Sequence, residues 1–308
     1  MTKLPLVSIA VLSYRNTEYL EECLASIFSQ TYENIELIVS NDGADEFDRE
    51  AVESVIAAKA PKNITNLIIN KNPRNMGTVA HCNILLDLAG GDYILFMACD
   101  DVFHNPQVIW DMVEGFGKFQ PDVMSLACQT EMWNDNLSIF LKSYMSKKSQ
   151  QLINTLTPEE LYRNYLVTSA LFPAGSRIYK RECFERYGRF DENYYIIEDW
   201  SSSMAHAKRG MKTRYMDINA LIHRAGGVSH SEPMQKSFAQ KMYVLDLIRG
   251  YEEALADESI SMETLSEVNR KRDWWSRRFF EIWNAGRQPI ELLESLNLGA
   301  YLSGVCWR

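Results

Sequence analysis

The 308-residue chain has no long apolar run, no closely paired cysteines and no excess of basic charge, and each absence removes a class of protein. Spanning a bilayer takes roughly 20 mostly apolar residues. No uninterrupted stretch reaches that, so the chain reads as cytoplasmic, soluble or peripheral at the inner face of the membrane. The opening "MTKLPLVSIAVLSYRN" sets Lys3 before an apolar stretch but has no small-residue cleavage site after it, and reads as a first strand. Six cysteines (Cys23, Cys82, Cys99, Cys128, Cys183, Cys306) lack C-x-x-C spacing, against a zinc site or a disulfide framework and in favour of a reducing compartment. With 41 acidic and 32 basic residues the formal charge is −9, which argues against a general nucleic-acid binder, since phosphate backbones reward a basic face. Four motifs are also missing: G-x-G-x-x-G after the first apolar run, G-x-x-x-x-G-K-[ST], H-E-x-x-H and G-x-S-x-G. Their absence removes the common dinucleotide, NTPase, zinc-protease and serine-hydrolase readings.

What is present is alternation. With 46% hydrophobic residues the chain can bury a full core. Val7 to Ser13 reads as a buried strand, and Leu20, Cys23, Leu24, Ile27 and Phe28 recur at helical spacing. The pattern repeats: "IELIVSND" as strand, 47–60 as helix, "NLIIN" as strand, Thr78 to Leu88 as helix, "YILFMA" as strand. Such units imply an α/β, Rossmann-like, mostly parallel sheet flanked by helices. Asn105 and Pro106 predict the start of the next helix, and 123–127 predict a strand. "GSRIYKRECFERYGRFDE" reads as a strand, a short helix and a turn. Residues 234–256 and Met262–Asn284 read as helices, so the division expected is a catalytic domain over 1–231 and a helical extension over 232–308.

In parallel sheets ligands collect at the carboxyl ends of strands, and those ends carry "SYRN", "SNDG" and "ACDD". Adjacent carboxylates at a strand mouth repel and are costly to desolvate, which suggests a cationic partner. The segments "VSIAVLSYRN", "CLASIFSQTYENIELIVSNDG", "NMGTVAHCN", "GGDYILFMACDD" and "EDW" occur together in an order that resembles the family 2 glycosyltransferases. These are nucleotide-sugar-dependent enzymes of the GT-A fold, and the resemblance covers roughly residues 6–230.

The resemblance implies an inverting, metal-dependent transfer of a sugar from a UDP-linked donor to a saccharide or lipid-linked saccharide hydroxyl, in cell-surface polysaccharide synthesis. "ACDD" matches the family's D-x-D region, with Ala98 at the first acidic position and Asp100 as ligand of Mn²⁺ or Mg²⁺; Asp101 and His223 are further candidate ligands. Hard cations of this kind prefer oxygen donors. Asp42 falls where the family accepts a hydrogen bond from uracil, Ser13 and Tyr14 where it holds the base, and Asn75 and Gly77 in the nucleotide-side loop. Asp199 matches the general base of the ED motif, with Glu198 beside it to orient the acceptor or the nearby loop. Trp200 could stack on a sugar or belong to the core. In "LIHRAGGVSHS", His230 is a weaker phosphate or metal candidate and Arg224 a candidate for offsetting diphosphate charge. Where the family places a histidine just after the arginine, this chain has Ala225 and Gly226.

Two rivals remain at this level: a catalytically silent nucleotide-sugar binder on the same fold, and a sugar nucleotidyltransferase, for which "LSYRN" lacks the glycine-rich basic loop. The segment "NRKRDWWSRRFFEIW" sets Arg270, Lys271, Arg272, Arg277 and Arg278 beside Trp274, Trp275, Phe279, Phe280 and Trp283. It reads either as a peripheral membrane contact or, with Trp275, Phe279 and Trp283 four apart, as a packed helix face.

Overall fold

The structure, a computed structural model, describes residues 4–168, 174–225 and 238–284, with side chains through residue 279. Its first part alternates strand and helix: β1 (Val7–Ser13), α1 (Leu20–Phe28), β2 (Ile35–Asn41), α2 (Arg49–Lys59), β3 (Ile64–Lys71), α3 (Thr78–Leu88) and β4 (Tyr93–Ala98). β1 and β2 are apolar and buried along almost their whole length, as strands covered on both faces must be. α1 buries Leu20, Cys23, Leu24 and Ile27, the stripe its sequence spacing predicts. α2 starts later than the apolar pattern suggests, because the Asp48 carboxylate accepts the Ala51 N–H at 3.0 Å and caps the helix there. These strands pair in parallel in the order β3-β2-β1-β4.

Past β4 the directions mix. There follow β5 (Val102–Phe103), α4 (Val108–Gly115), β6 (Val123–Trp133), β7 (Phe140–Ser143), α5 (Lys147–Thr155), α6 (Pro158–Thr168), β8 (Arg177–Lys180), α7 (Glu182–Tyr187), α8 (Glu198–Lys208) and β9 (Lys212–Arg224). The sheet continues β4-β8-β6-β9-β5, and β7 pairs antiparallel with the last residues of β6, Glu131 to Trp133, beyond the stretch that pairs β8. β8 runs antiparallel to both β4 and β6, while β6 and β9 are parallel. The parallel reading thus holds for the first four strands and again for β6 with β9, and fails at β5, β7 and β8. β8 is reached through two helices and a long connection, so alternation no longer dictates its direction. α4 begins two residues beyond the predicted start, since Asn105 caps a turn instead, its side-chain oxygen accepting the Gln107 N–H at 2.8 Å.

The last helices are α9 (Phe238–Leu255) and α10 (Met262–Asn284). The expected division at 231/232 falls outside the described residues. Apolar side chains of α6, α8, α9 and α10 share a cluster that includes Leu161, Tyr165, Trp200, Met204, Leu247, Tyr251 and Val268. Trp275 and Phe279 pack against α9 residues, whereas Trp274 is 54% exposed. Arg270 pairs with Glu267 and Arg272 with Asp273. The side chains of Phe280 and Trp283 lie outside the described residues. Among those described, no helix is long and apolar enough to cross a membrane, and Cys23, Cys82, Cys99, Cys128 and Cys183 are buried free thiols.

Candidate active site

The carboxyl ends of β1, β2 and β4 open on one rim. At the end of β1 the Ser13 hydroxyl donates to the Ser40 carbonyl at 3.0 Å and accepts from the Asn41 amide at 3.1 Å, so it ties β1 to β2. Tyr14 follows, 37% exposed, with the Arg15 guanidinium 5.2 Å from its ring centre. Arg15 adopts φ 46°, a left-handed conformation uncommon outside glycine.

Asp42, at the end of β2, is buried and well supplied with donors. One carboxylate oxygen accepts from the Asn72 amide at 2.8 Å and the Met76 N–H at 2.9 Å, and the other from the Gly77 N–H at 3.0 Å. What Asp42 demonstrably holds is the 72–77 loop. Asn75 accepts from the Gly77 N–H at 2.9 Å and from the Tyr195 hydroxyl at 3.0 Å. Gly77 sits at φ 86°, and a Cβ there would lie 2.7 Å from the Tyr195 ring, so both conformation and space demand glycine.

At the end of β4, Ala98 is exposed, Asp100 half-buried and Asp101 buried. Among the described residues no side chain donates to the Asp100 carboxylate; its backbone carbonyl accepts from Arg224 Nε at 3.0 Å. Burial, and then the neighbouring Asp101 charge, push the Asp100 carboxyl above its ordinary value. Asp101 accepts from His223 Nδ1 at 2.8 Å. Burial alone would pull that imidazole down, but the Asp101 charge and hydrogen bond outweigh it and leave His223 above its ordinary value. Asp100, Asp101 and His223 therefore meet, with two of the three bonded to each other, and no group of three such side chains among the described residues is arranged to cage an ion. Arg224 is buried and engaged, bonded to Glu22 and to the Asp135 carbonyl and stacked 3.9 Å from the Tyr19 ring centre. It clamps the mouth of β4 to α1. His230 lies outside the described residues.

Glu198 and Asp199 open α8. Burial, then the Asp199 charge, push the Glu198 carboxyl up to about 8. Burial also raises Asp199, but its own helix offsets part of that: one oxygen accepts the Trp200 N–H at 2.6 Å, and the Arg177 charge adds to the offset. Burial thus raises both carboxyls of the pair, Glu198 further through the Asp199 charge, while the Trp200 N–H and Arg177 hold Asp199 back. Arg177, at the start of β8, is buried. It donates to Ser203 at 2.8 Å and Thr213 at 3.1 Å, and Ser203 donates to the Asp199 carbonyl at 2.6 Å. Tyr144 stands near both this pair and the β4 mouth. Its ring lies 5.7 Å from that of His223, and its hydroxyl is pushed up first by burial and then by the charges of Asp101 and Asp199. Cys82 of α3 feels Glu198, Asp199 and Asp42 in the same way. Trp200 settles in the core, 1% exposed, its indole N–H donating to the Tyr165 carbonyl at 3.0 Å, so its ring is not offered to a sugar.

Reading the sequence alone misses Arg177 and Tyr195. The signal available for Arg177 is a charged residue inside the apolar strand "SRIY".

The family model described as Glycosyl transferase family 2 matches residues 8–188. The chain belongs to glycosyl transferase family 2. The match takes in the rim of β1, β2 and β4 and ends before Glu198 and Asp199. An uncharacterized glycosyltransferase of Haemophilus influenzae is 37% identical over 102 residues, which is 33% of this chain and 30% of that protein; the match thus spans under a third of the relative's length. Among solved structures, S. aureus TarS 1-349 in complex with UDP-GlcNAc has a TM-score of 0.57 at 18% identity, covering 86% of this chain and 72% of that one. The mannosyltransferase PcManGT from Pyrobaculum calidifontis, in complex with GDP-Man and Mn²⁺, has a TM-score of 0.59 at 15% identity, covering 99% and 87%. At these identities the likeness is one of fold: a sheet flanked by helices, as in GT-A glycosyltransferases, with C-terminal helices.

Proposed function

We propose that this family 2 member transfers a sugar, with inversion, from a UDP-linked donor to the hydroxyl of a saccharide or lipid-linked saccharide in cell-surface polysaccharide synthesis. The observation that carries this reading is the buried acid pair at the start of α8, where the Asp199 carboxylate accepts the Trp200 N–H at 2.6 Å beside Glu198, near the rim that the family shares. Asp199 accepts the proton of the acceptor hydroxyl as its oxygen attacks the anomeric carbon, and the bond from that carbon to the diphosphate breaks in the same displacement. Neutral Glu198 keeps a donor hydrogen for the acceptor without adding a second charge beside the base. Tyr14 offers an exposed ring to the nucleobase. The loop held by Asp42, with Asn75 and Gly77, shapes the nucleotide side.

A divalent cation suits the β4 mouth. Asp100 is a desolvated carboxylate without a side-chain donor among the described residues, as suits a hard cation, and would hold Mn²⁺ or Mg²⁺ together with donor phosphate oxygens and water. Asp101, bonded to His223, stands next to it. A cation held there would supply positive charge to offset that of the diphosphate. The solved relatives with UDP-GlcNAc and with GDP-Man and Mn²⁺ support the donor class and the metal.

The test is nucleotide release from UDP-, dTDP- and GDP-sugars with Mn²⁺, with and without oligosaccharide or lipid-linked acceptors. Acceptor-dependent release of UDP is expected. Donor binding without release under every acceptor would overturn the reading in favour of a silent binder.

A further inference from the structure

The residue before α8 is Ile197, whose side chain cannot cap the first turn, and within that turn the Asp199 carboxylate takes only the Trp200 N–H. Something else must fix how the chain enters the helix that begins with the acid pair. That support comes from the far end of the sequence. Asp246, on α9, is 4% exposed, and its carboxylate accepts three consecutive backbone N–H groups. Tyr195 N lies 3.0 Å from each oxygen, while Ile196 N at 2.6 Å and Ile197 N at 3.0 Å bond to Oδ2. A carboxylate taken out of water is costly unless its acceptor sites are filled, and here one turn of backbone fills them. Burial pushes the Asp246 carboxyl up and these N–H groups pull it back.

The same turn reaches the nucleotide side. The Tyr195 hydroxyl donates to Asn75 at 3.0 Å, and the Tyr195 carbonyl accepts the Val79 N–H at 3.3 Å. One further contact registers α9 on α8. Gly250, one helical turn beyond Asp246, has no side chain where the Trp200 ring lies; a Cβ there would be 2.6 Å from Trp200 Cζ3. Trp200 directly follows Asp199.

We propose that Asp246 is a positioning residue for the transfer reaction: it locks the 195–197 turn so that Glu198 and Asp199 enter α8 in working register with the Asn75–Gly77 loop. This rests on the function proposed above for Asp199. It gives the C-terminal helix α9 a part in the active site.

Asp246→Asn removes the charge and half of the acceptor capacity at constant shape; Asp246→Glu keeps the charge and moves it. Misplacement of a reacting group by about 1 Å costs on the order of 10² in rate. Asp246→Asn is therefore expected to lower kcat by about that factor while UDP affinity changes far less, with Asp246→Glu recovering part of the loss. In an Asp199→Asn background the same change is expected to cost little more, because it acts through the residue already disabled. A folded Asp246→Asn protein with wild-type kcat, or an equal cost in both backgrounds, would overturn the proposal. If wild type transfers no sugar, or Asp199→Asn transfers at the wild-type rate, the functional reading fails instead. The positioning claim is then decided by amide hydrogen exchange of Asp246→Asn. Faster exchange at both 195–199 and 75–79 supports it, and faster exchange confined to α9 overturns it.

Discussion

Carboxylates at the mouths of β2 and β4 stand in opposite conditions. Asp42 is surrounded by donors, with Asn72, Met76 and Gly77 all bonded to it. Asp100, on the same rim, has no side-chain donor among the described residues and is pushed up by burial and by Asp101. The contrast recurs elsewhere. Glu36 on β2 accepts from Ser8, Gly90 and Asn66, and Asp246, which burial also raises, from three backbone N–H groups, whereas Glu198 and Asp199 are raised by desolvation with only backbone N–H groups of their own helix start as donors. A carboxylate whose acceptor sites are filled by its own chain holds shape. One desolvated and left short of donors has capacity remaining for a proton, a cation or a substrate hydroxyl.

Substitutions on the two sides are expected to separate accordingly. The largest effect belongs to Asp199→Asn, which keeps shape and removes the base. Transfer is expected to fall by about 10² to 10⁴, with UDP affinity retained in calorimetric titration; near wild-type transfer would move the base to Glu198. Next comes Asp42→Ala, which strands the Asn72, Met76 and Gly77 donors at a cost of about 1–3 kcal/mol for each that stays buried. Denaturant unfolding should show that loss, and UDP affinity should fall whatever sugar the donor carries. Unchanged stability would remove Asp42 from the shape-holding class.

The smallest effect is a gain. The Glu198 carboxyl is raised from an ordinary 4.5 to about 8, so between those values the folded chain binds a proton that the unfolded chain has released. Stability from this group is complete below pH 4.5 and is lost as pH rises to 8. Glu198→Gln cannot ionise and is expected to melt higher than wild type at pH 8, with the difference vanishing toward pH 4.5. A lower melting temperature at pH 8 would mean that the ionised pair is not strained.

The same contrast explains what could be read without coordinates. β1 to β4 and the helices between them were legible, because buried strands and amphipathic helices write their period into residue type. So were the acids at the strand mouths. The direction of β8 was not, since a connection through two helices permits either sense. Nor was the clamp on the acid pair: its donors are the backbone N–H groups of Tyr195, Ile196 and Ile197, which every non-proline residue possesses, and its acceptor lies 49 to 51 positions further on. Asp246 does stand out inside the apolar run "MYVLDLI", yet nothing in that run names its partner. Trp200 left two readings open, and only packing against Tyr251 at 5.1 Å between ring centres decides for the core.

The most direct test of the division between shape-holding and working carboxylates is calorimetric titration of UDP into wild type and Asp100→Asn, with and without Mn²⁺. Wild type is expected to bind UDP more tightly with Mn²⁺, and Asp100→Asn to bind it as the metal-free wild type does while unfolding at the wild-type denaturant midpoint. Equal Mn²⁺ enhancement in both proteins, or a large loss of stability in Asp100→Asn, would contradict it.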